Sequence, residues 1–224
     1  MKNIVLINGS PKVGEPSTSR HLIDIASPHF NGVQTNRIII DVQKSMENHT
    51  TQSDFEAILN ADAVIIAFPL YMFGLPGMLI KYLEDLQTFY IQKGMPEKGT
   101  KVYAIVNSGY PEPEVNLEAV RVIRSFCQHI NAHFRFGVLV GGGPLLLSQG
   151  NSSATKKPLN SLNDAFTAIS EDIGRSDFQN IDNFIIPISF PRRLYLFMGG
   201  RAWLPMAKKN GLKKADLYRR PYQA

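Results

Sequence analysis

Cysteine is nearly absent: the 224 residues hold one, Cys127. A single thiol rules out a disulfide framework and any four-cysteine metal or cluster site. It lies among Val120, Ile123, Phe126 and Ile130 at helical spacing, so it reads as a core residue. No uncharged apolar run reaches about 18 residues, so no membrane-spanning helix is expected. The chain opens directly on an apolar strand, which leaves no room for a signal peptide, and a cytoplasmic location is expected. Two glycine signatures are also missing. There is no G-x-G-x-x-G for a dinucleotide and no G-x-x-x-x-G-K-[ST] for a nucleoside triphosphate. Acidic residues are scarce in one region, where residues 192–220 carry nine Lys and Arg against Asp216 alone. That stretch holds +8 in a chain whose net charge is +5, which leaves −3 for the remainder. The basic character belongs to the tail.

What is present is an alternation of short β-branched runs with amphipathic stretches. Strands are predicted at 4–7, 37–42, 63–68, 101–107 and 134–140. Helical patterns follow Ser17–Ser19 and occupy 55–59, 75–86, 115–130 and 159–169. Leu75, Met78, Leu79, Tyr82, Leu83 and Leu86 recur at i, i+3, i+4, i+7, i+8 and i+11, the clearest amphipathic helix in the chain. The alternation predicts a doubly wound α/β domain over residues 1–175, with a five-stranded parallel sheet in the order 2-1-3-4-5. Residues 176–224 form a basic, amphipathic C-terminal extension. In such a sheet ligands bind outside the carboxyl ends of the strands, where strands one and three diverge. The loops after strands one, three and four therefore carry the chemistry.

All three loops are unusual. The first runs Asn8-Gly9-Ser10-Pro11-Lys12 and ends on Ser17-Thr18-Ser19 at a helix start. Unpaired backbone N–H groups and the helix dipole favour an anion there, and hydroxyls add donors. Lys12 adds a charge at its edge. A simple helix cap is the competing reading of the three hydroxyls. The second loop, Pro69-Leu70-Tyr71-Met72-Phe73-Gly74-Leu75-Pro76-Gly77, presents large apolar and aromatic groups. Proline and glycine stiffen it and let backbone approach a ligand. The third, Asn107-Ser108-Gly109-Tyr110-Pro111, adds small polar groups and another aromatic. A phosphate site and two ring-binding loops on one edge describe a mononucleotide such as FMN.

These motifs resemble the NAD(P)H-dependent FMN reductases of the flavodoxin-like superfamily. The likeness spans about residues 1–140 and rests on G-S-P-K with S-T-S-R, on F-P-L-Y-M-F-G-L-P-G-M-L-I-K, and on V-N-S-G-Y-P. The second is similar to the family's P-x-Y-x-x-x-x-P pattern. The resemblance implies that Ser10, Ser17, Thr18 and Ser19 hold the FMN phosphate. Pro69, Leu70, Tyr71, Met72 and Phe73 would line the ring and ribityl chain, and Asn107, Ser108, Gly109 and Tyr110 would close the pyrimidine side. It implies an oxidoreductase moving hydride from NAD(P)H through FMN to a small acceptor: a quinone, an azo or nitro compound, or free flavin. The flavin carries that chemistry, so no catalytic side chain is assigned. It also implies a homodimer. The alternatives are a flavodoxin-like electron carrier and an FMN-binding sensor without turnover. Carriers are usually strongly acidic, whereas this chain is not.

His129 and His133 stand four apart but lack accompanying carboxylates, and no metal site is expected. The tail interleaves nine cations with Leu194, Tyr195, Leu196, Phe197, Trp203, Leu204 and Met206. Packing on the core or on a second subunit is one reading of it, and peripheral membrane contact is another. One basic stretch without a recognisable motif is poor evidence for nucleic acid, and no such partner is expected.

Overall fold

Ile4 and Leu6 face one side of the first strand, Val5 and Ile7 the other, and all four are buried. A strand apolar on both faces needs helices above and below it. The structure, a computed structural model, describes all residues except 15–16, 32–34, 97–98, 149–152, 189, 221 and 223–224. Its sheet consists of β1 (Lys2–Asn8), β2 (Thr35–Asp41), β3 (Ala63–Pro69), β4 (Lys101–Asn107), β5 (His133–Val140) and β6 (Phe184–Ile186). All are parallel, in the order β2-β1-β3-β4-β5-β6. The register sets Asn8 beside Asp41 and Ala67, and Asn107 beside Pro69 and Val140. The carboxyl ends of five strands thus finish along one edge.

The helices are α1 (Thr18–Ala26), α2 (Val42–Glu47), α3 (Thr51–Leu59), α4 (Gly77–Lys93), α5 (Leu117–His129), α6 (Gly143–Ser148), α7 (Ser153–Gly174) and α8 (Arg192–Lys209). On one face of the sheet, Val5, Ile7, Val64 and Ile66 pack with Phe55 of α3, Leu79 and Tyr82 of α4 and Ile123 of α5. On the other, Ile4, Leu6, Ile65 and Ile105 pack with Leu22 and Ile23 of α1 and Leu162 and Phe166 of α7. Each fully buried isoleucine or leucine contributes about 1.5–3 kcal/mol relative to exposure.

A buried ionic cluster ties α7 to the sheet. Arg135 of β5 donates to Asp172 through Nε at 2.8 Å and Nη2 at 2.7 Å, and the Tyr103 hydroxyl donates to Asp172 Oδ2 at 2.7 Å. Lys101 Nζ donates to the backbone carbonyls of Asp172 and Arg175. The Asp172 side chain is 1% exposed. Burial pushes its carboxyl up, but the Arg135 and Tyr103 hydrogen bonds and the Arg135 and Lys101 charges outweigh burial and hold it below the usual range.

The expected alternation is present, with differences at its margins. Val42 opens α2 instead of closing β2, since Asp41 already has the extended backbone of an N-cap. A sixth strand, β6, joins the sheet beside β5. Three residues are too short for a periodic signal. The chain forms two compact units, Met1–Ile188 and Ser189–Ala224. The second unit holds α8 and a 3₁₀ turn, Lys214–Tyr218. His129 is the last residue of α5 and His133 the first of β5, so their spacing is not helical. Among the described residues no group of three metal-ligating side chains converges. Cys127 is buried on α5, and burial pushes its thiol up to about 12.

Candidate functional site

Strand β1 ends on Asn8, whose side chain organises the following loop. Asn8 Oδ1 accepts the Ser10 N–H at 3.2 Å and the Ser17 hydroxyl at 3.4 Å. Asn8 Nδ2 donates to Asp41 Oδ2 at 3.1 Å. Ser10 Oγ accepts the Lys12 N–H at 3.3 Å. The Gly9 N–H donates to the Ala67 carbonyl at 2.8 Å, and a Cβ on Gly9 would lie 2.7 Å from Leu79 of α4. Glycine lets the loop lie against that helix.

The loop delivers the chain to α1. Ser17 is the N-cap: its Oγ accepts the Arg20 N–H at 3.1 Å, and its carbonyl accepts the His21 N–H at 3.0 Å. The N–H groups of Thr18 and Ser19 have no partner among the described residues. Two free donors at the positive end of a helix dipole make an anion site. Ser17 is therefore a cap, while its two neighbours leave their backbone donors open. Ser10 and Ser17 are buried, Thr18 is half-buried and Lys12 is exposed. Ser19 is different. It is fully buried and its Oγ accepts from Asn107 Nδ2 at 2.9 Å, so its side chain braces β4 while its N–H stays available. Lys12, Arg20 and Lys44, with Asp24, Asp41 and Gln43, border a polar cleft of about 460 Å³ on the β2 side of Asn8. A larger cleft of about 730 Å³, bordered by Lys2, Asp62, Lys93 and Lys101, opens at the opposite edge of the sheet and includes none of these loops.

The loop after β3 is a tight hairpin. Tyr71 and Gly74 exchange backbone hydrogen bonds of 3.0 and 2.9 Å. Met72 and Phe73 between them have φ of 49° and 61°, the signature of a type I′ turn. Left-handed backbone costs a residue with a Cβ roughly 1–2 kcal/mol. The turn sends Met72 into solvent, 95% exposed, and stacks Phe73 on Tyr110 with ring centroids 6.0 Å apart and planes 18° from parallel. The N–H groups of Met72 and Phe73 have no partner among the described residues. Pro69 and Leu70 are half-buried at the hairpin's base, where the Leu70 N–H donates to the Asn107 carbonyl at 2.8 Å.

The loop after β4 is clamped from beneath. Asn107 Nδ2 donates to the Phe68 carbonyl at 3.1 Å as well as to Ser19. The Ser108 N–H reaches the Val140 carbonyl at 3.1 Å, and its hydroxyl donates to the Tyr110 carbonyl at 3.3 Å. Gly141, Gly142 and Gly143 donate to the carbonyls of Ile186, Tyr110 and Ser108 at 3.0, 2.6 and 3.0 Å. A Cβ on Gly141 would lie 2.4 Å from the Pro111 carbonyl oxygen. The glycine run thus staples the third loop in place. Asn107 and Ser108 face inward as braces, while Gly109 and Tyr110 are exposed.

One edge of the sheet therefore gathers two free helix-start donors, two free hairpin donors and a stacked, half-exposed aromatic pair. A phosphate group fits the first and a flat ring with polar edges fits the rest. Asn8, Asp41 and the glycine clamp were not among the sequence candidates. An asparagine closing a strand just before Gly-Ser was the available sign of the first.

Several solved structures share this fold. An NADH:FMN oxidoreductase in its apo form is 20% identical with a TM-score of 0.58, over 87% of this chain and 98% of that one. General stress protein 14 from Treponema denticola, in complex with FMN, is 17% identical with a TM-score of 0.57, over 77% and 99%. An FMN-dependent NADH-azoreductase from Bacillus anthracis, in complex with FMN, is 12% identical with a TM-score of 0.57, over 76% and 100%. At these identities the likeness establishes the fold. No curated protein matches the chain. A family model described as flavodoxin-like fold matches residues 2–136, more than half of the sequence, and the chain belongs to that family.

Proposed function

We propose that the protein is an FMN-dependent NAD(P)H oxidoreductase that reduces a small acceptor such as a quinone, an azo or nitro compound or free flavin. The observation that carries this reading is the convergence of the open Thr18 and Ser19 N–H groups with the Phe73–Tyr110 pair on one sheet edge. The names of the structural neighbours support it: an NADH:FMN oxidoreductase, an FMN-dependent NADH-azoreductase and a general stress protein in complex with FMN.

When bound, FMN supplies the redox chemistry, taking a hydride from NAD(P)H and passing it to the acceptor. The chain's residues bind and orient. Thr18 and Ser19 offer backbone donors to the phosphate, with the hydroxyls of Ser10, Ser17 and Thr18 and the charge of Lys12 around them. Pro69, Leu70, Tyr71 and Phe73 form an apolar wall for the ring. The Met72 and Phe73 N–H groups, with Gly109 and Tyr110, offer polar contacts at its edge. Ser19, Asn107 and Ser108 hold these groups in place. No side chain is needed as acid or base for hydride transfer, so none is assigned. The exposed apolar hairpin together with Ile80 on α4 supports self-association as a homodimer, to be tested by light scattering. The pyridine-nucleotide donor fits a cytoplasmic site of action.

The visible spectrum of the purified protein, before and after anaerobic NADPH and then NADH, tests this reading. Flavin peaks that bleach support a reductase and name its donor. Peaks that ignore both nucleotides favour the carrier or sensor. A colourless protein that takes up no added FMN overturns the site.

A further inference from the structure

The C-terminal unit combines two properties that rarely share one segment. Its charge is +8 over residues 192–220, with cations at both ends of α8 and beyond it. It also exposes large apolar side chains. Leu194, Leu196, Phe197, Met198, Trp203 and Met206 are each exposed, and they stand around α8 among its arginines and lysines. The Arg201 guanidinium lies 5.5 Å from the Phe197 ring centroid.

So many exposed large apolar side chains on one helix call for a covering surface. The cations restrict what that surface is. A second copy of the same segment would bring another +8 against it. A nucleic acid would satisfy the charge but leave the apolar side chains uncovered, and the unit has no nucleic-acid-binding motif. The boundary of an anionic bilayer satisfies both requirements. Its acyl region receives Leu196 and Met206, its interface suits the indole of Trp203, and its headgroups pair with lysine and arginine at the ends of their flexible stems. No helix among the described residues is long and apolar enough to cross a membrane, so such contact is peripheral.

We propose that α8 and the basic turn after it dock the protein on the surface of an anionic lipid membrane, with Trp203 at the interface and Lys208, Lys209, Lys213 and Lys214 on the headgroups. The proposal is independent of the redox reading. It also has a built-in reporter, because Trp203 is the chain's only tryptophan.

The test uses the full chain, saturated with FMN in every sample, and vesicles of phosphatidylcholine alone or mixed with phosphatidylglycerol. Tryptophan emission, acrylamide quenching and co-sedimentation are read together. Vesicles containing phosphatidylglycerol are expected to shift Trp203 emission to the blue, shield it from acrylamide and pull the protein down, whereas phosphatidylcholine alone does not. Each basic residue near an anionic surface contributes about 1 kcal/mol, so each Lys→Gln change among the four lysines should weaken partition roughly fivefold. The quadruple variant should lose roughly 600-fold with its circular dichroism unchanged. Absence of shift and sedimentation with phosphatidylglycerol overturns the proposal. So does equal binding to phosphatidylcholine, or displacement from vesicles by an RNA or DNA duplex that itself shifts Trp203.

Discussion

Replacing Asn8 by Asp changes one atom that matters. Asn8 Oδ1 accepts from Ser10 and Ser17, and Asp at this position would accept equally well. The Nδ2 group, however, donates to Asp41 at 3.1 Å, and Asn8→Asp sets an oxygen there instead. Two full charges at that distance repel by about 5 kcal/mol at an effective dielectric of about 20. Asp41 is partly open to water, so the expected loss is about 3 kcal/mol at pH 7. As pH falls, one carboxyl of so close a pair takes up a proton, becomes a donor, and removes most of the penalty. The gap between variant and parent should therefore narrow as pH falls. The double variant Asn8→Asp with Asp41→Asn exchanges donor and acceptor and should recover most of the stability at pH 7. Urea unfolding of flavin-stripped protein, followed by circular dichroism, measures all three. FMN affinity, read from flavin fluorescence, should follow the same order, since the contact shapes the loop that presents Thr18 and Ser19. A single variant as stable as the parent, or a double variant no better than the single, would refute this account of the loop.

Asp172→Ala leaves the Arg135 guanidinium buried without its partner and should cost about 3–5 kcal/mol in urea unfolding. Because the Asp172 carboxyl is held below the usual range, its contribution is present above about pH 4 and lost as pH falls further, so the variant should show a flatter acid limb. Cys127 should resist maleimide in the native protein at pH 8 and react once per chain in urea, since burial suppresses its thiolate. Phe73→Ala or Tyr110→Ala should weaken FMN binding roughly three- to tenfold, the about 0.5–1.5 kcal/mol of an aromatic contact. The pair of changes together should cost less than their sum, because each ring rests on the other.

Much of the sheet was legible because its strands are short, β-branched and buried on two faces. The 63–68 and 101–107 runs coincide closely with β3 and β4, and the apolar spacing of Leu79, Tyr82, Leu83 and Leu86 marks the buried side of α4. Elements whose existence depends on a neighbour were less legible. Strand β6 is a strand because β5 offers it a partner at Val138, Leu139 and Val140. The start of α7 lies ahead of the apolar repeat that begins at Leu159. In the candidate site, residue type located the loops but could not divide ligand-facing groups from braces. Ser19 and Ser10 look alike in a sequence, yet Ser19 is turned to Asn107 by the position of β4.

The hairpin at Met72–Phe73 shows why that division follows function. A type I′ turn is most easily made by Asn-Gly, and a sequence read for turn chemistry alone would not place methionine and phenylalanine there. The chain accepts the left-handed backbone at both positions, a conflict between local preference and fold of the kind expected at working sites. What the strain yields is specific. Two backbone donors are left open at the tip, and an aromatic ring is set 6.0 Å from Tyr110 on the neighbouring loop. Asn-Gly would relieve the turn and remove the ring. Phe73 thus sets an aromatic face beside Tyr110, and the turn forms despite the left-handed backbone it requires there.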